Sequence, residues 1–339
     1  MSHQLDQSDQ SRRPRPASSR GQIRAAARTD APAAGRARPV PLPSRRRRAT
    51  TSAAAILLAS SCVLTAAACS SPSTGGATDT GTQIQVVAAE AVWGDIAAQI
   101  GGSQVQITSI LGIDGKGGIA GTPQAAAAFK PTTADAKAMQ AAQLVILNGA
   151  GLDPWVSETL SSNPGINRLE VNVANQVGVT PGQNPYLWYD PEYVQTAVQQ
   201  LEQDFVQLRP KEQAYFQEQE TVFEQNAVTA DEQLIKTIKQ KYAGTVIETC
   251  DALGTELATQ LGLKAAQPTS AAQLATGGGK ILLCDAEDPG SAVQAILKQA
   301  GVDQIPVVTL SAYPEPAGTN YQEWQTSQLQ SVSQALAQG

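Results

Sequence analysis

Histidine occurs once in the 339 residues, at His3. All later chemistry must rest on cysteines, carboxylates and phenols. A His-containing zinc or manganese site, and a Ser-His or Cys-His catalytic pair, are excluded beyond that point. No nucleophile-elbow, zinc-protease or kinase pattern occurs, so the chain is not expected to be an enzyme. Cys250 and Cys284 each precede acids, as Cys250-Asp251 and as Cys284-Asp285-Ala286-Glu287. Three readings compete for this pair. It is a disulfide, which needs Cα atoms within ~7 Å. It is a thiolate pair for a soft metal such as Cu(I) or Zn, completed by Asp251, Asp285 or Glu287. Or it is two inert, buried small side chains. Glu90 closes an apolar run and either charges a cleft or is a solvated strand end.

The stretch Asn184-Pro185-Tyr186-Leu187-Trp188-Tyr189-Asp190-Pro191 is an aromatic loop stiffened by two prolines. Tyr186 either hydrogen-bonds a ligand or plugs the cleft. Trp188 is a second cleft candidate, with packing as its alternative. Asp190-Pro191 is a helix-start signature.

These residues need elements to position them. Residues 84–90, 105–111 and 144–148 are short apolar runs that read as buried parallel strands. Helical patterns over 92–102 and 131–139 separate them, and residues 112–128 read as a soft loop. After Pro191, Val194, Ala197, Val198, Leu201, Phe205 and Leu208 recur at helical spacing. Strands over 245–250, 280–284 and 305–310 then alternate with helices over 252–261 and 291–299, and a helix over 321–337 closes the chain. Two β-α-β-α-β units predict an α/β fold: two lobes, each a parallel sheet flanked by helices, joined by a long helix at 191–208. Strands ending at Cys250, Cys284 and Ser311 deliver them to a carboxyl sheet edge, where open α/β sheets bind ligands. The glycine run at 277–279 lacks phosphate-loop spacing and reads as a turn.

Charge divides the chain. Residues 1–68 hold 12 Arg, no Lys and 3 acids, leaving 12 basic and 27 acidic residues beyond. An acidic body argues against nucleic acid. Residues 1–44 read as a disordered basic leader. Residues 45–68 read as an export signal, too short for a comfortable membrane span. Ala66-Ala67-Ala68-Cys69 resembles a lipid-acceptor site, with Cys62 after Leu58-Ala59-Ser60-Ser61 as the weaker alternative, and 69–83 reads as a flexible tether. The lobes are expected at 84–190 and 242–339, with linking helices at 191–241.

The aromatic loop resembles the NPHxWxDP segment of the zinc/manganese-type ABC transporter solute-binding lipoproteins (cluster A-I, periplasmic metal-binding proteins). Phe129-Lys130-Pro131-Thr132-Thr133-Ala134-Asp135, followed by residues 144–155, resembles that family's H-x-[FY]-x-P-T-x-x-D … LVxxNGxGLxxW signature. The resemblance covers roughly 84–338. It implies an extracytoplasmic lipoprotein of a divalent-metal importer, monomeric, anchored to the bacterial cell membrane and partnered by an ABC permease and its ATPase. The family's four ligand positions fall on Ala127, Tyr186, Cys250 and Ser311, none carrying the usual ligand. Two functions follow. Either a non-His site uses Cys250, Cys284, Asp251 and Asp285 for Zn or Cu(I), or metal binding is lost and the protein binds another small solute or an envelope partner.

Overall fold

The computed structural model describes residues 83–112, 122–165, 167–285 and 290–338. The leader, the export signal, Cys62, Cys69 and Glu287 lie outside these residues.

Strand β1 (Ile84–Glu90) is buried at every position but Gln85, as a central parallel strand must be. It pairs with β2 (Val105–Leu111) on one side and β3 (Leu144–Leu147) on the other, and β4 (Leu169–Asn172) completes a sheet of order β2-β1-β3-β4. The helices of this lobe are α1 (Ala91–Gly101), α2 (Pro123–Ala127), α3 (Thr133–Ala141), α4 (Pro154–Ser162) and α5 (Val173–Val177). Here the expected soft loop up to residue 128 is corrected. Thr122 caps the first turn of α2 by accepting from the Ala125 N–H at 3.1 Å, and Pro123 stands where a missing N–H is harmless.

The joining helix α6 (Pro191–Leu208) starts where expected: the Asp190 carboxylate accepts from the Glu192 N–H at 3.0 Å. It is followed by α7 (Gln213–Phe223), a π turn at Glu224–Val228 and α8 (Thr229–Tyr242). The second sheet has the order β6-β5-β7-β8, all parallel, from β5 (Val246–Thr249), β6 (Lys264–Ala266), β7 (Leu282–Asp285) and β8 (Val307–Leu310). It carries α9 (Ala252–Gln260), α10 (Ala271–Gly277), α11 (Ser291–Val302) and the closing α12 (Tyr321–Gln338). Each sheet therefore has four strands where the apolar runs indicate three.

The two lobes are sewn together along α12. The Asp95 carboxylate of α1 accepts from the Tyr321 N–H at 2.7 Å, and Gln99 and Gln322 exchange side-chain hydrogen bonds at 3.0 and 2.8 Å. The Tyr321 hydroxyl donates to the Trp188 carbonyl at 2.9 Å. Such a joint is stiff, because opening it would leave buried polar groups without partners.

Candidate ligand cleft

The cleft is a cavity of about 150 Å³ lined by Thr122, Pro123, Gln124, Tyr186, Asp251, Ala252, Asp285 and Val293. The N-terminal lobe contributes the capped start of α2. The C-terminal lobe contributes the carboxyl ends of β5 and β7 and the first helical turns beyond them. Tyr186 stands between.

Each expected ligand position can now be placed. Ala127 ends α2 and offers only a methyl group. Tyr186 is only 4% exposed, and its ring stands edge-on to Trp188 with centroids 5.9 Å apart. Trp188 is itself fully buried, edge-on to Trp93 at 6.3 Å and tilted against Tyr313 at 6.0 Å. Its indole belongs to the aromatic core, so its place as a cleft candidate is corrected. Ser311 turns inward: its hydroxyl donates to the Tyr313 carbonyl at 2.9 Å and accepts from the Trp324 indole N–H at 2.8 Å. The Tyr189 hydroxyl donates to the Ser311 carbonyl at 2.9 Å and accepts from the Gln328 side-chain amide at 3.0 Å.

Cys250 and Cys284 lie at adjacent positions of neighbouring strands. Thr249 pairs with Leu283, and the Cys250 N–H donates to the Leu283 carbonyl at 2.8 Å. This register brings their Cα atoms to 4.9 Å, and the two sulfurs are bonded. Asp251 follows as the N-cap of α9, one oxygen accepting from Gly254 N–H at 2.8 Å and the other from Asp285 N–H at 2.6 Å. Its carboxylate thereby ties the two strand ends together. Among the described residues no three His, Cys, Asp or Glu side chains converge to hold a metal ion.

Glu90 is fully buried, not exposed at the cleft, and neither of its oxygens has a hydrogen-bond partner among the described residues. Burial first, then the neighbouring Asp153 carboxylate, push its pKa well above the ordinary range. Burial likewise pushes Asp153 up to about 6, against the opposing pull of the Gly149 and Asn148 N–H groups. Those amides reach Asp153 at 2.9 and 2.7 Å. Asn148 is the hub. Its side-chain oxygen accepts from the Trp93 indole at 3.1 Å, and its amide donates to the Pro185 carbonyl at 2.9 Å, directly before Tyr186. Sequence reasoning left Asn148, Asp153 and the Thr122–Gln124 turn out of the site. The Thr122-Pro123 pair was the available signal for the turn.

Two parallel-sheet lobes joined by a helix, with a cleft at the carboxyl sheet edges, define a two-lobed solute-binding class. A family profile described as zinc-uptake complex component A, periplasmic (ZnuA), matches residues 86–335, and the chain belongs to that family. Among curated relatives it is 24% identical over 143 residues to the manganese-binding lipoprotein MntA of Halalkalibacterium halodurans, a match spanning 40% of this chain and 45% of that protein. Among solved structures it resembles the periplasmic zinc binding protein TroA from Treponema pallidum, with a TM-score of 0.60 at 18% identity, covering 75% of this chain and 99% of that one. A Mn-bound periplasmic metal binding protein from Candidatus Liberibacter asiaticus gives 0.60 at 15% identity, covering 74% and 98%. These structural likenesses speak for the fold.

Proposed function

We propose that the chain is the extracytoplasmic solute-binding component of an ABC importer, held at the cell membrane by acylation of Cys69. Its cleft takes a small cation without the inner ligands of a zinc or manganese site. Family membership and the likeness to a manganese-binding lipoprotein support the first half. One observation carries the second. Asp251 and Asp285 both line the cleft, and among the described residues no lysine or arginine lines it. At the same time, none of the four family positions has an available donor: Ala127 has none, Tyr186 is packed, Cys250 is oxidised and the Ser311 hydroxyl is spent inside the lobe. Two carboxylates in a small, partly apolar cavity favour a positive guest, and the Gln124 amide that also lines it suits a hydrated ion or a small amine.

Calorimetry of the full chain against Mn, Zn, Cu(I) and small primary amines tests this reading. It stands if one cation binds, with zinc and manganese no tighter than roughly micromolar, and Asp285→Asn weakens it about tenfold, ~1.4 kcal/mol. It falls if no cation binds, or if Asp285→Asn leaves the affinity unchanged.

A second reading concerns the reduced protein. Cys250 and Cys284 flank Asp251 and Asp285, so reduction by a dithiol would place two thiols beside two carboxylates, a donor set for Cu(I) or Zn. Cation binding that appears only after reduction, and is lost in Cys284→Ser, favours this form.

A further inference from the structure

Half of the story of charge lies away from the cleft. The amino-terminal edge of the second sheet faces the opposite way, and its parts converge by register. Val246, the first residue of β5, pairs with Lys264, the first of β6. The Lys280 N–H, just before β7, donates to the Val246 carbonyl at 3.0 Å. Val307 opens β8 and pairs with Leu282, while Val302 ends α11 five residues earlier. The α8 helix ends at the same edge, and its Lys239 stem lies 3.6 Å from where a side chain on Gly262 would project.

Two observations coincide here. Of four large hydrophobic residues exposed among the described residues, three are on this edge: Val246 at 40%, Val302 at 69% and Val307 at 41%. Lys239, Lys241, Lys264 and Lys280 are exposed around them, and none is ion-paired, since the one ion pair among the described residues is Arg168 with Glu170. Acids also lie near: Asp190, Glu192 and Glu232 line one pocket with Lys239, and Asp303 is exposed beside Val302. Glu248 is buried and accepts from the Gly279 N–H at 3.2 Å, and Asp303 accepts from the Gln299 side-chain amide at 3.0 Å. A chain with 27 acidic and 12 basic residues beyond position 68 thus gathers lysines without an ion-pair partner around exposed valines on one edge, Lys241 lying over the Tyr242 ring at 5.0 Å.

We infer that this edge is a docking surface for an anionic lipid membrane. Charge complementarity gives the sign of the partner, and the residue types give its class. Protein–protein hot spots are built on Trp, Tyr and Arg, and lysine is depleted from interface cores. Here there is no arginine, the exposed apolar groups are small, and the cations are long, flexible lysines whose stems can lie along the lipid boundary with the ammonium among head groups. Resting on a surface rather than crossing it suits the fold, for no described helix is long and apolar enough to span a membrane. The inference goes beyond solute capture and does not depend on what the cleft holds.

Lysine footprinting by acetylation of the full chain, mixed with phosphatidylcholine vesicles with or without phosphatidylglycerol, tests it. The Arg-rich leader contains no Lys, so it adds no signal even where it binds lipid. The expected result is a several-fold loss of labelling at Lys241, Lys264 and Lys280 only with phosphatidylglycerol, reversed by high salt, while Lys130 and Lys211 keep their reactivity. Equal labelling of the three lysines on both vesicles would overturn the inference, including where the chain sediments with lipid through its leader alone. So would protection that persists in high salt. A Val302→Ser, Val307→Ser variant keeps the lysines and should lose part of the protection. Unchanged protection in it would refute the role of the valines.

Discussion

The ring of Tyr186 stands edge-on to Trp188, 5.9 Å between centroids, with only 4% of the residue exposed. A side chain held this way is part of the core. Truncation should therefore act on stability before it acts on binding. Tyr186→Ala is expected to cost about 3 kcal/mol, the range for removing a buried aromatic ring, and to enlarge the cleft. Urea denaturation measures the first effect. A loss below about 1 kcal/mol would mean that the ring is loosely held and free to meet a ligand.

The Cys250–Cys284 bond closes a loop of 34 residues between neighbouring strands. On chain-entropy grounds such a cross-link stabilises by about 4 kcal/mol. Reduction, or the Cys250→Ser, Cys284→Ser double variant, should lower the denaturation midpoint accordingly. Thiol titration should find neither cysteine free before reduction. Free thiols at both positions in protein isolated without reductant would reverse the assignment.

Asn148 joins three otherwise separate pieces: the indole of Trp93, the carbonyl of Pro185 and the turn held by Asp153. Asn148→Ala strands a buried indole N–H and removes the tie to the cleft loop. The expected cost is about 2–3 kcal/mol, with hydrogen exchange accelerated around residues 184–190. Faster exchange confined to β3, with the loop unchanged, would show that the loop is held without this tie.

Stability should fall as pH rises from about 4 to about 7. Burial pushes Asp153 to about 6 and Asp231 to about 7, both above the unfolded value of 3.8. Acids with raised folded pKa values bind protons more tightly when folded, so their stabilisation is complete at low pH and is lost as pH climbs through the folded pKa. Asp231 is packed between α8 and α12, where Thr326 reaches one oxygen at 3.5 Å and the other has no hydrogen-bond partner. Asp231→Asn should flatten the pH dependence and gain roughly 2–3 kcal/mol relative to the parent at pH 8, more than at pH 5. A parallel downward shift at both pH values would assign the residue a purely steric role.

The sequence made the central strands readable because parallel strands buried on both faces are continuous apolar runs, as in Leu144–Leu147. It made α6 readable through its spacing and its Asp190-Pro191 start. The edge strands escaped. In Leu169–Asn172 and Lys264–Ala266 one and no residues, respectively, are fully buried; Lys264–Ala266 carries no β pattern, and the apolar/polar alternation of Leu169–Asn172 is only four residues long. The absence of family ligands at Ala127, Tyr186, Cys250 and Ser311 was legible by letter alone. What the letters could not give was direction. Glu90 ends its strand as a cleft residue would, yet it turns into the core beside Asp153. Ser311 sits at a sheet edge, yet spends its hydroxyl on Tyr313 and Trp324. Those outcomes depend on long-range partners, 63 residues from Glu90 to Asp153 and 13 from Ser311 to Trp324.

The claim that this family member has no inner-ligand zinc or manganese site is tested most directly by metal analysis and equilibrium dialysis of the oxidised full chain, purified without chelator or His tag. The account predicts no retained zinc or manganese, and dissociation constants for both weaker than roughly micromolar. One zinc or manganese per chain, held more tightly than that with Cys250 and Cys284 still bonded, would contradict it.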